Sequence, residues 1–599
     1  MRHSLLSPRA SALGVLVCAV LAGAGRAQET ILDPAPAAPT AAASEAAVGA
    51  ADPSPPAAPV ATATPRPPTR TLTETGTPSQ TPTATPTLAL PDDPVGVAIY
   101  GVVVAGRHPW LPAPFPAQAP ALRRLYEPRQ IAPLWTQGGK PSAAAGALID
   151  AMAGAGAGGL VAADYAPAML RDAAARLGAD PSPTSEEIGL FDAALSVAAL
   201  RFTSDLSVGR VAPRRVGLFY DVPPKHGDPA AIVAELASSD DPAARLVQLD
   251  PPFPQFAHLR DALARYRALA GQPTQTSVPL MPKLTPGDRD AGVPALRAHL
   301  AALGDLPPDA AAPAAGDEQR YDTALVDAVR RFQTRHGLGR DGVIGPGTLA
   351  ALRVPPAVRA AQIELAMERL RWLPDAWPQR FIFVNLPEFR LRAYSDGDPT
   401  PSLQMNVVVG QAVSTESHKT PVLQADMQYL VFRPYWMVPS SIARRELWPK
   451  IQRDPGYLAR NNMEVRNGRI RQRPGRGNSL GQVKFIFPNP HHVYLHDTPS
   501  KGLFVRPRRD YSHGCVRVAD PPALAEWVLT DTPGWDRARI ERAMRSEPND
   551  RHVPLATPLP VYLFYTTVVV EADGAIHFFD DIYGHDATLQ RELAKGART

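Results

Sequence analysis

The sequence predicts a multi-domain α+β protein: a helical region, a smaller three-helix unit, and a mostly-β domain that carries an inserted subdomain. Three observations point there. The chain has 599 residues, several times the ~150 of an ordinary domain, so more than one core is required. Apolar residues recur with helical spacing from about residue 95 to 373, and the period changes to two after Arg380. The 68 prolines far exceed the usual share of about 5%, which marks part of the chain as linker. The formal charge of +4 falls to +1 without the three arginines of an acid-free leader (Arg2, Arg9, Arg26), so composition makes no case for nucleic acid.

The elements follow in order from the N-terminus. The apolar run Ala12–Ala24 follows basic residues and precedes Gly25-Arg26-Ala27, which predicts a signal peptide over 1–27, cleaved near Ala27, and a periplasmic protein. Its length falls short of the ~20 residues that span a bilayer; retention as an anchor is the alternative, and no later segment offers a stable span. Val17 before Cys18 disagrees with a lipoprotein signal. Cleavage leaves Cys515 as the sole cysteine in an oxidising compartment, either buried and inert or chemically employed. Residues 28–94 read as a disordered Pro/Thr/Ala-rich tether, because 31–91 hold 14 Pro and 12 Thr without one aromatic residue. Leu122–Tyr126, Ala144–Met152, Ala168–Leu177 and Glu187–Leu206 then carry helical spacing and define a mostly helical domain over 95–275.

A second unit over 284–354 has helices from Val293, over Leu325–Phe332 and over Pro346–Leu352. Gly337 caps one helix and Pro346 starts another. Val329, Phe332 and Leu349 are expected to pack its core and not to touch ligand. A linking helix is expected over Ala357–Leu373. Strands follow at Phe381–Val384, Leu391–Tyr394, Met405–Val409, Met427–Phe432, Val483–Phe487 and Val493–Leu495. Residues 441–482 break that rhythm and read as an inserted subdomain or lid. A helix over Pro521–Leu529 and a closing pair of strands, Val561–Tyr565 with Ile576–Phe578, complete the domain.

The densest polar cluster runs from His491 to Arg517 and contains Cys515. A cysteine nucleophile needs a base to take its proton and backbone donors for the oxyanion of a tetrahedral intermediate. His513 stands two residues before Cys515 and His496 nineteen before it, so both are candidates. Gly514 leaves room for a carbonyl to approach, and Arg517 is placed to hold a carboxylate. Zinc is the competing chemistry, with His492, His496, His513 and Cys515 as four ligands; the preceding Val-Tyr-Leu makes the His492–His496 stretch a strand end and not a helix. A redox pair lacks its second cysteine. His491 and His492 read as surface residues.

These residues carry two resemblances. Ala328-Val329-x-x-Phe332-Gln333, Gly337-Leu338 and Asp341-Gly342-x-x-Gly345-x-x-Thr348 resemble the small peptidoglycan-binding domain. His496, 15 residues, then Ser512-His513-Gly514-Cys515-x-Arg517 resembles the L,D-transpeptidase family. Its large periplasmic members are similar also at Tyr435-Trp436-x-Val438-Pro439, Pro474-Gly475, Asn478-x-Leu480-Gly481, Lys484-Phe485 and Tyr494–Pro499. Their helical scaffold domain is matched at Tyr126 through Pro133-Leu134-Trp135, Gly159-Leu160, Asp164-Tyr165 and Gly209-Arg210-Val211-x-Pro213. Arg433 departs from the pattern, which leads one to expect Asn.

The resemblance spans 120–590 and implies a scaffold domain, a peptidoglycan-binding domain, and a catalytic domain over 380–599 with its lid at 441–482. It implies that Cys515 attacks the carbonyl at the L-centre of a diaminoacyl residue, expels D-alanine, and passes the acyl group to the side-chain amine of a second stem as a 3→3 cross-link. His496 would be the base, steered by a backbone carbonyl near Asp497, with amides around His513, Gly514 and Cys515 as the oxyanion hole. Ser512, Arg517, Tyr494 and Trp436 would contact substrate. Stem peptides and glycan would be the partners, with other wall-synthesis proteins beside them, carbapenems would acylate the thiol, and no cofactor or metal would be needed. The alternatives are an L,D-carboxypeptidase, attachment of a protein to the wall by the same thiol, or a non-catalytic wall-binding scaffold.

Overall fold

The computed structural model describes residues 88–596, apart from 112, 221, 224, 226, 273–277, 280–281, 311–312, 314, 413–417 and 572. The expected leader with Cys18 and nearly all of the tether lie outside the described residues. The architecture is multi-domain α+β: a helical N-terminal region and a mostly-β C-terminal domain. Among the described residues no helix is long and apolar enough to cross a membrane.

The helical region is built around Ser185–Val208, started by a Thr184/Glu187 capping box and buried along most of its length. A buried Asp192 in its middle explains why Tyr126 and Leu134-Trp135 occur together. Its carboxylate accepts the Tyr126 hydroxyl at 2.6 Å, the Leu134 amide at 2.9 Å and the Trp135 amide at 2.7 Å. Burial pushes this acid up to about 6, while those donors pull it back.

The linking helix Pro356–Leu370 ties the domains together. Buried Glu368 accepts the amides of Arg210 at 2.6 Å and Val211 at 2.9 Å, and Arg210 pairs with Asp164 at 2.7 Å. The sequence signatures of the helical region therefore meet on this helix. The next residue, Arg369, reaches Asp586 of the C-terminal segment at 2.5 Å.

The three-helix unit packs Val329, Phe332 and Leu349 into its own core, as expected. Its signature is a side-chain staple. The Gln333 amide donates to Asp341 Oδ1 at 2.8 Å and to the Val343 carbonyl at 3.0 Å, while its oxygen accepts the Gly342 amide at 2.9 Å. The end of the Phe332 helix seats against the last strand of the β domain: His336 stacks on Phe578 with 5.6 Å between ring centres, and Arg335 donates to the Ile576 carbonyl at 3.2 Å.

The β domain contains β1 (Phe381–Asn385), β2 (Arg390–Tyr394), β3 (Leu403–Gly410), β4 (Leu423–Phe432), β5 (Trp436–Met437), β6 (Met463–Arg466), β7 (Arg469–Gln472), β8 (Val483–Ile486), β9 (Leu495–His496), β10 (Asp510–Ser512), β11 (Val516–Val518), β12 (Arg551–Phe564), β13 (Val568–Val570) and β14 (Ile576–Phe578). Nine of them form one sheet in the order β10-β3-β11-β9-β8-β4-β12-β1-β2. Because β2 also pairs with β3, the sheet closes on itself like a barrel. Its interior is filled by alternate residues such as Val407, Val409, Leu430, Leu495, Val516 and Val561, with Leu524 and Ile540 from two covering helices.

Two expectations are corrected here. The closing strand pair is β13 with β14, because Val561–Tyr565 mostly belongs to β12, which is claimed by the main sheet between β4 and β1. The inserted subdomain begins before 441: β5 joins β6 and β7 in a separate three-stranded sheet, and Trp436 packs on Val438, Ile442, Leu447 and Ile470.

Candidate active site

Strand register assembles the site. β9 and β11 run parallel with Leu495 opposite Val516 and His496 opposite Arg517. Side chains alternate across a sheet, so with Leu495 and Val516 in the core, Tyr494, His496, Cys515 and Arg517 share the other face. Tyr494 lies across from Cys515, and the Val516 amide donates to the Tyr494 carbonyl at 3.1 Å. His496 is the next residue along that face, within the reach of diagonal neighbours in a sheet.

His496 is buried, with Nδ1 at 2.5 Å from the Asp497 carbonyl. A carbonyl only accepts, so Nδ1 carries the proton and Nε2 is left with the lone pair. Burial, reinforced by the Arg517 charge, lowers this imidazole to about 3, against the pull of hydrogen bonds to Asp497 and Leu480 carbonyls. Cys515 keeps some exposed surface, yet burial of its sulfur pushes the thiol up to about 11, with hydrogen bonds from Tyr494 opposing. The resting pair is therefore neutral thiol beside neutral imidazole, which avoids two charges in a poorly solvated pocket.

The turn before the cysteine is held from three sides. Ser512 Oγ donates to the Cys515 carbonyl at 2.5 Å and accepts the Gly514 amide at 3.2 Å, so in this structure the Gly514 N–H is engaged within the turn. Gly514 has φ +113°, a conformation that side chains avoid. Thr420 Oγ donates to the Gly514 carbonyl at 2.8 Å and accepts the Gly410 amide at 2.9 Å. Behind it the buried Tyr583 hydroxyl donates to the Gly410 carbonyl at 2.7 Å. A Cβ on Gly410 would overlap the His418 carbonyl. Gly410→Ala is accordingly expected to cost about 1–3 kcal/mol, read as a fall in melting temperature, whereas Gly101→Ala, in open space within the helix Pro94–Ala105, should hold or slightly raise it.

Arg517 is half-buried, and its Nε is buried with no hydrogen-bond partner among the described residues. Burial pulls its pKa down while the cysteine pulls it up. His513 is tied to the inserted subdomain: Nε2 lies 2.7 Å from Glu446 Oε1, and its ring meets His418 edge-on at 4.8 Å. Trp436 packs against the core of the insert. Of the other histidines, His492 offers its carbonyl to the thiol at 4.0 Å, and His491 packs on Phe219 of the helical region at 4.1 Å. Among the described residues no group of three or more His, Cys, Asp or Glu is placed to share a metal ion.

Glu446, Thr420, His418 and Tyr583 escaped sequence reasoning. Each lies 67 or more residues from the turn it touches or supports, and no spacing announces such a contact. Arg433 is explained by its backbone: φ is +48°, the left-handed region where Asn is enriched, and its guanidinium compensates by bonding Asn549 at 3.0 Å and the Arg545 carbonyl at 2.6 Å.

Comparison with known families matches residues 379–537 to the "L,D-transpeptidase catalytic domain", 120–263 to the "Scaffold domain" and 289–352 to the "Putative peptidoglycan binding domain". A Haemophilus influenzae protein named "Putative L,D-transpeptidase" is 35% identical over 249 residues, covering 38% of this chain and 48% of that protein. The chain thus spans about half the length of the curated relative it matches. Among solved structures, an L,D-transpeptidase from Xylanimonas cellulosilytica is 19% identical over 48% of this chain and 100% of its own, with a TM-score of 0.15. The Ldtfm-avibactam carbamoyl enzyme is 11% identical over 40% and 80%, with a TM-score of 0.16. TM-scores this low carry no argument about the present fold. From N- to C-terminus the chain carries a scaffold domain, a peptidoglycan-binding domain and the catalytic domain of the L,D-transpeptidase family.

Proposed function

We propose that the protein is a peptidoglycan L,D-transpeptidase that forms 3→3 cross-links through an acyl group carried on Cys515. The observation that carries the reading is the shared face of β9 and β11, which presents a thiol and an orientated neutral imidazole beside an arginine whose Nε has no partner among the described residues. Cys515 Sγ attacks the carbonyl at the L-centre of a diaminoacyl residue as His496 Nε2 takes its proton. His496 then hands that proton to the departing D-alanine amine. The nucleophile turn supplies oxyanion donors; Gly514 N–H joins them on leaving Ser512 Oγ, and the Cys515 amide stands beside it. Arg517 holds a carboxylate of the stem by a charge-assisted bond, Tyr494 donates to the sulfur, and Ser512 keeps the turn in shape.

The inserted subdomain, tied to His513 through Glu446, stands beside the thioester and limits water there, which favours an amine as acceptor over hydrolysis. The peptidoglycan-binding domain raises the local concentration of wall substrate. The periplasm is the compartment where that substrate lies.

The test is mass analysis of muropeptides after incubation of the purified chain with disaccharide-tetrapeptides. A dimer linked between two diaminoacyl residues, with release of D-alanine, is the expected product. Tripeptide alone in the presence of excess acceptor would make the protein an L,D-carboxypeptidase, and an unchanged substrate would leave only wall binding.

A further inference from the structure

Glu446 and His513 form a second dyad, anchored on the turn two residues before Cys515, that the acylation half of this chemistry does not use. His513 Nε2 and Glu446 Oε1 are 2.7 Å apart, and the side chains are 31% and 37% exposed, so a ligand can reach both. A carboxylate accepts, so Nε2 carries a proton, and Nδ1 is the ring nitrogen of His513 left to act as a base. Glu446 Oε2 has no partner among the described residues. Glu446 comes from a π-helical turn, Ala443–Leu447, whose ends are buried in the core of the insert. Such turns are rare and often present a side chain at a functional site. The other groups facing the dyad are His418, whose basicity burial and His513 lower, and Arg445, close enough to act on His418. Arg444 and Arg445 are exposed and make no hydrogen bond or ion pair to any described residue.

Resolving a thioester with an amine poses a problem that attack by the thiol does not. A primary amine of ordinary basicity arrives at neutral pH as an ammonium, and it must be bound as a cation and then stripped of a proton. His496 is poorly suited to that task, being buried and next to Arg517.

We propose that Glu446 and His513 are the acceptor-amine site of the acyl-enzyme, taking a primary ammonium whose neighbouring carbon bears a carboxylate; this rests on the acyl-transfer reading above. Glu446 Oε2 accepts one ammonium N–H, Arg444 or Arg445 meets the carboxylate, and His513 Nδ1 removes one proton. The neutral amine attacks the thioester carbonyl, forming the C–N bond, and the C–S bond breaks with its electron pair on sulfur. The sulfur recovers the second proton from the new amide nitrogen by way of His496, and His513 releases its own to solvent. The balance is thioester plus ammonium giving amide, thiol and one proton.

The experiment measures, for the full-length chain and its Glu446→Gln, Glu446→Asp and His513→Gln variants, acyl-enzyme formation by intact mass and the ratio of dimer to tripeptide at varied tetrapeptide acceptor. Glu446→Gln is expected to lower that ratio about tenfold by raising the acceptor KM, with acylation falling by less. Glu446→Asp should restore part of the ratio because it keeps the charge. Parallel loss of acylation and ratio in both Glu446 variants would make the pair a structural latch and overturn the proposal, and so would a ratio that Glu446→Gln leaves unchanged. A wild-type chain that never forms an acyl-enzyme would overturn the acyl-transfer reading and this one with it, whereas an acyl-enzyme whose partition ignores Glu446 overturns this one alone.

Discussion

Cys515→Ala is expected to lower D-alanine release from tetrapeptide stems at least about 1,000-fold while the melting temperature stays within a degree or two of wild type. The loss is large because no other group on the shared face of β9 and β11 can form an acyl intermediate: Tyr494 is a phenol held well above its ordinary pKa by burial, and the remaining groups are an imidazole and a guanidinium. Stability is spared because the side chain is only half-buried and its contact with the His492 carbonyl is a long 4.0 Å. Cys515→Ser should be nearly as inactive, since a hydroxyl is a far weaker nucleophile. A carbapenem should add its mass to wild type and not to the Ala variant. The raised thiol makes a further check. Alkylation by iodoacetamide without substrate should be slow at pH 7 and rise about tenfold per pH unit until near pH 11. Burial of the neutral thiol stabilises the fold below the ordinary thiol pKa, and that contribution is lost as pH rises through about 11. Full turnover by Cys515→Ala would end the assignment.

What the sequence could and could not disclose divides along the range of the interactions. The strand at Phe381–Val384 and the helix at Glu187–Leu206 were legible because periodicity is a local property. That His496 and Cys515 come to one face was legible because both stand in one 20-residue stretch whose ends pair as neighbouring strands. Trp436 is expected at substrate from its place in a motif, and the structure adds a second role that any apolar motif residue can have: its ring packs on the core of the insert. The pairing of Ile576–Phe578 with Val568–Val570 was hidden because Val561–Tyr565 offers a similar apolar run, and only the main sheet decides which run is already occupied. Glu446 was beyond reach: its partner lies 67 residues away, and nothing in Arg444-Arg445-Glu446-Leu447 sets it apart from a solvated helical face. The Thr420 and Tyr583 contacts behind Gly514 are of the same kind, set by closure of the barrel.

His496→Ala is expected to lower the rate of acylation at least about 100-fold, the scale of losing a positioned general base, with a chelator such as EDTA leaving the wild-type rate unchanged. The argument turns on protonation. Because Nδ1 is committed to the Asp497 carbonyl, only Nε2 can accept the thiol proton, and burial keeps it ready to accept by holding the ring neutral. Nitrogen-15 shifts of His496 should therefore stay those of neutral imidazole, protonated at Nδ1, from pH 8 down to about pH 4, moving only as pH approaches 3. The sign for stability follows. The folded value is depressed below the ordinary 6.5, so this residue's contribution is complete above pH 6.5 and is lost as pH falls from there through about 3. His496→Gln can still donate to the Asp497 carbonyl but cannot take a proton, so it should recover stability without recovering rate. His492→Asn is the matched control, since His492 gives the thiol only its backbone carbonyl and adopts φ +53°, which Asn accepts. A His496 ring that titrates near 6.5, or a His496→Gln variant that acylates at the wild-type rate, would show that Cys515 loses its proton to another group, and the facing strands would then be scaffolding for a base elsewhere.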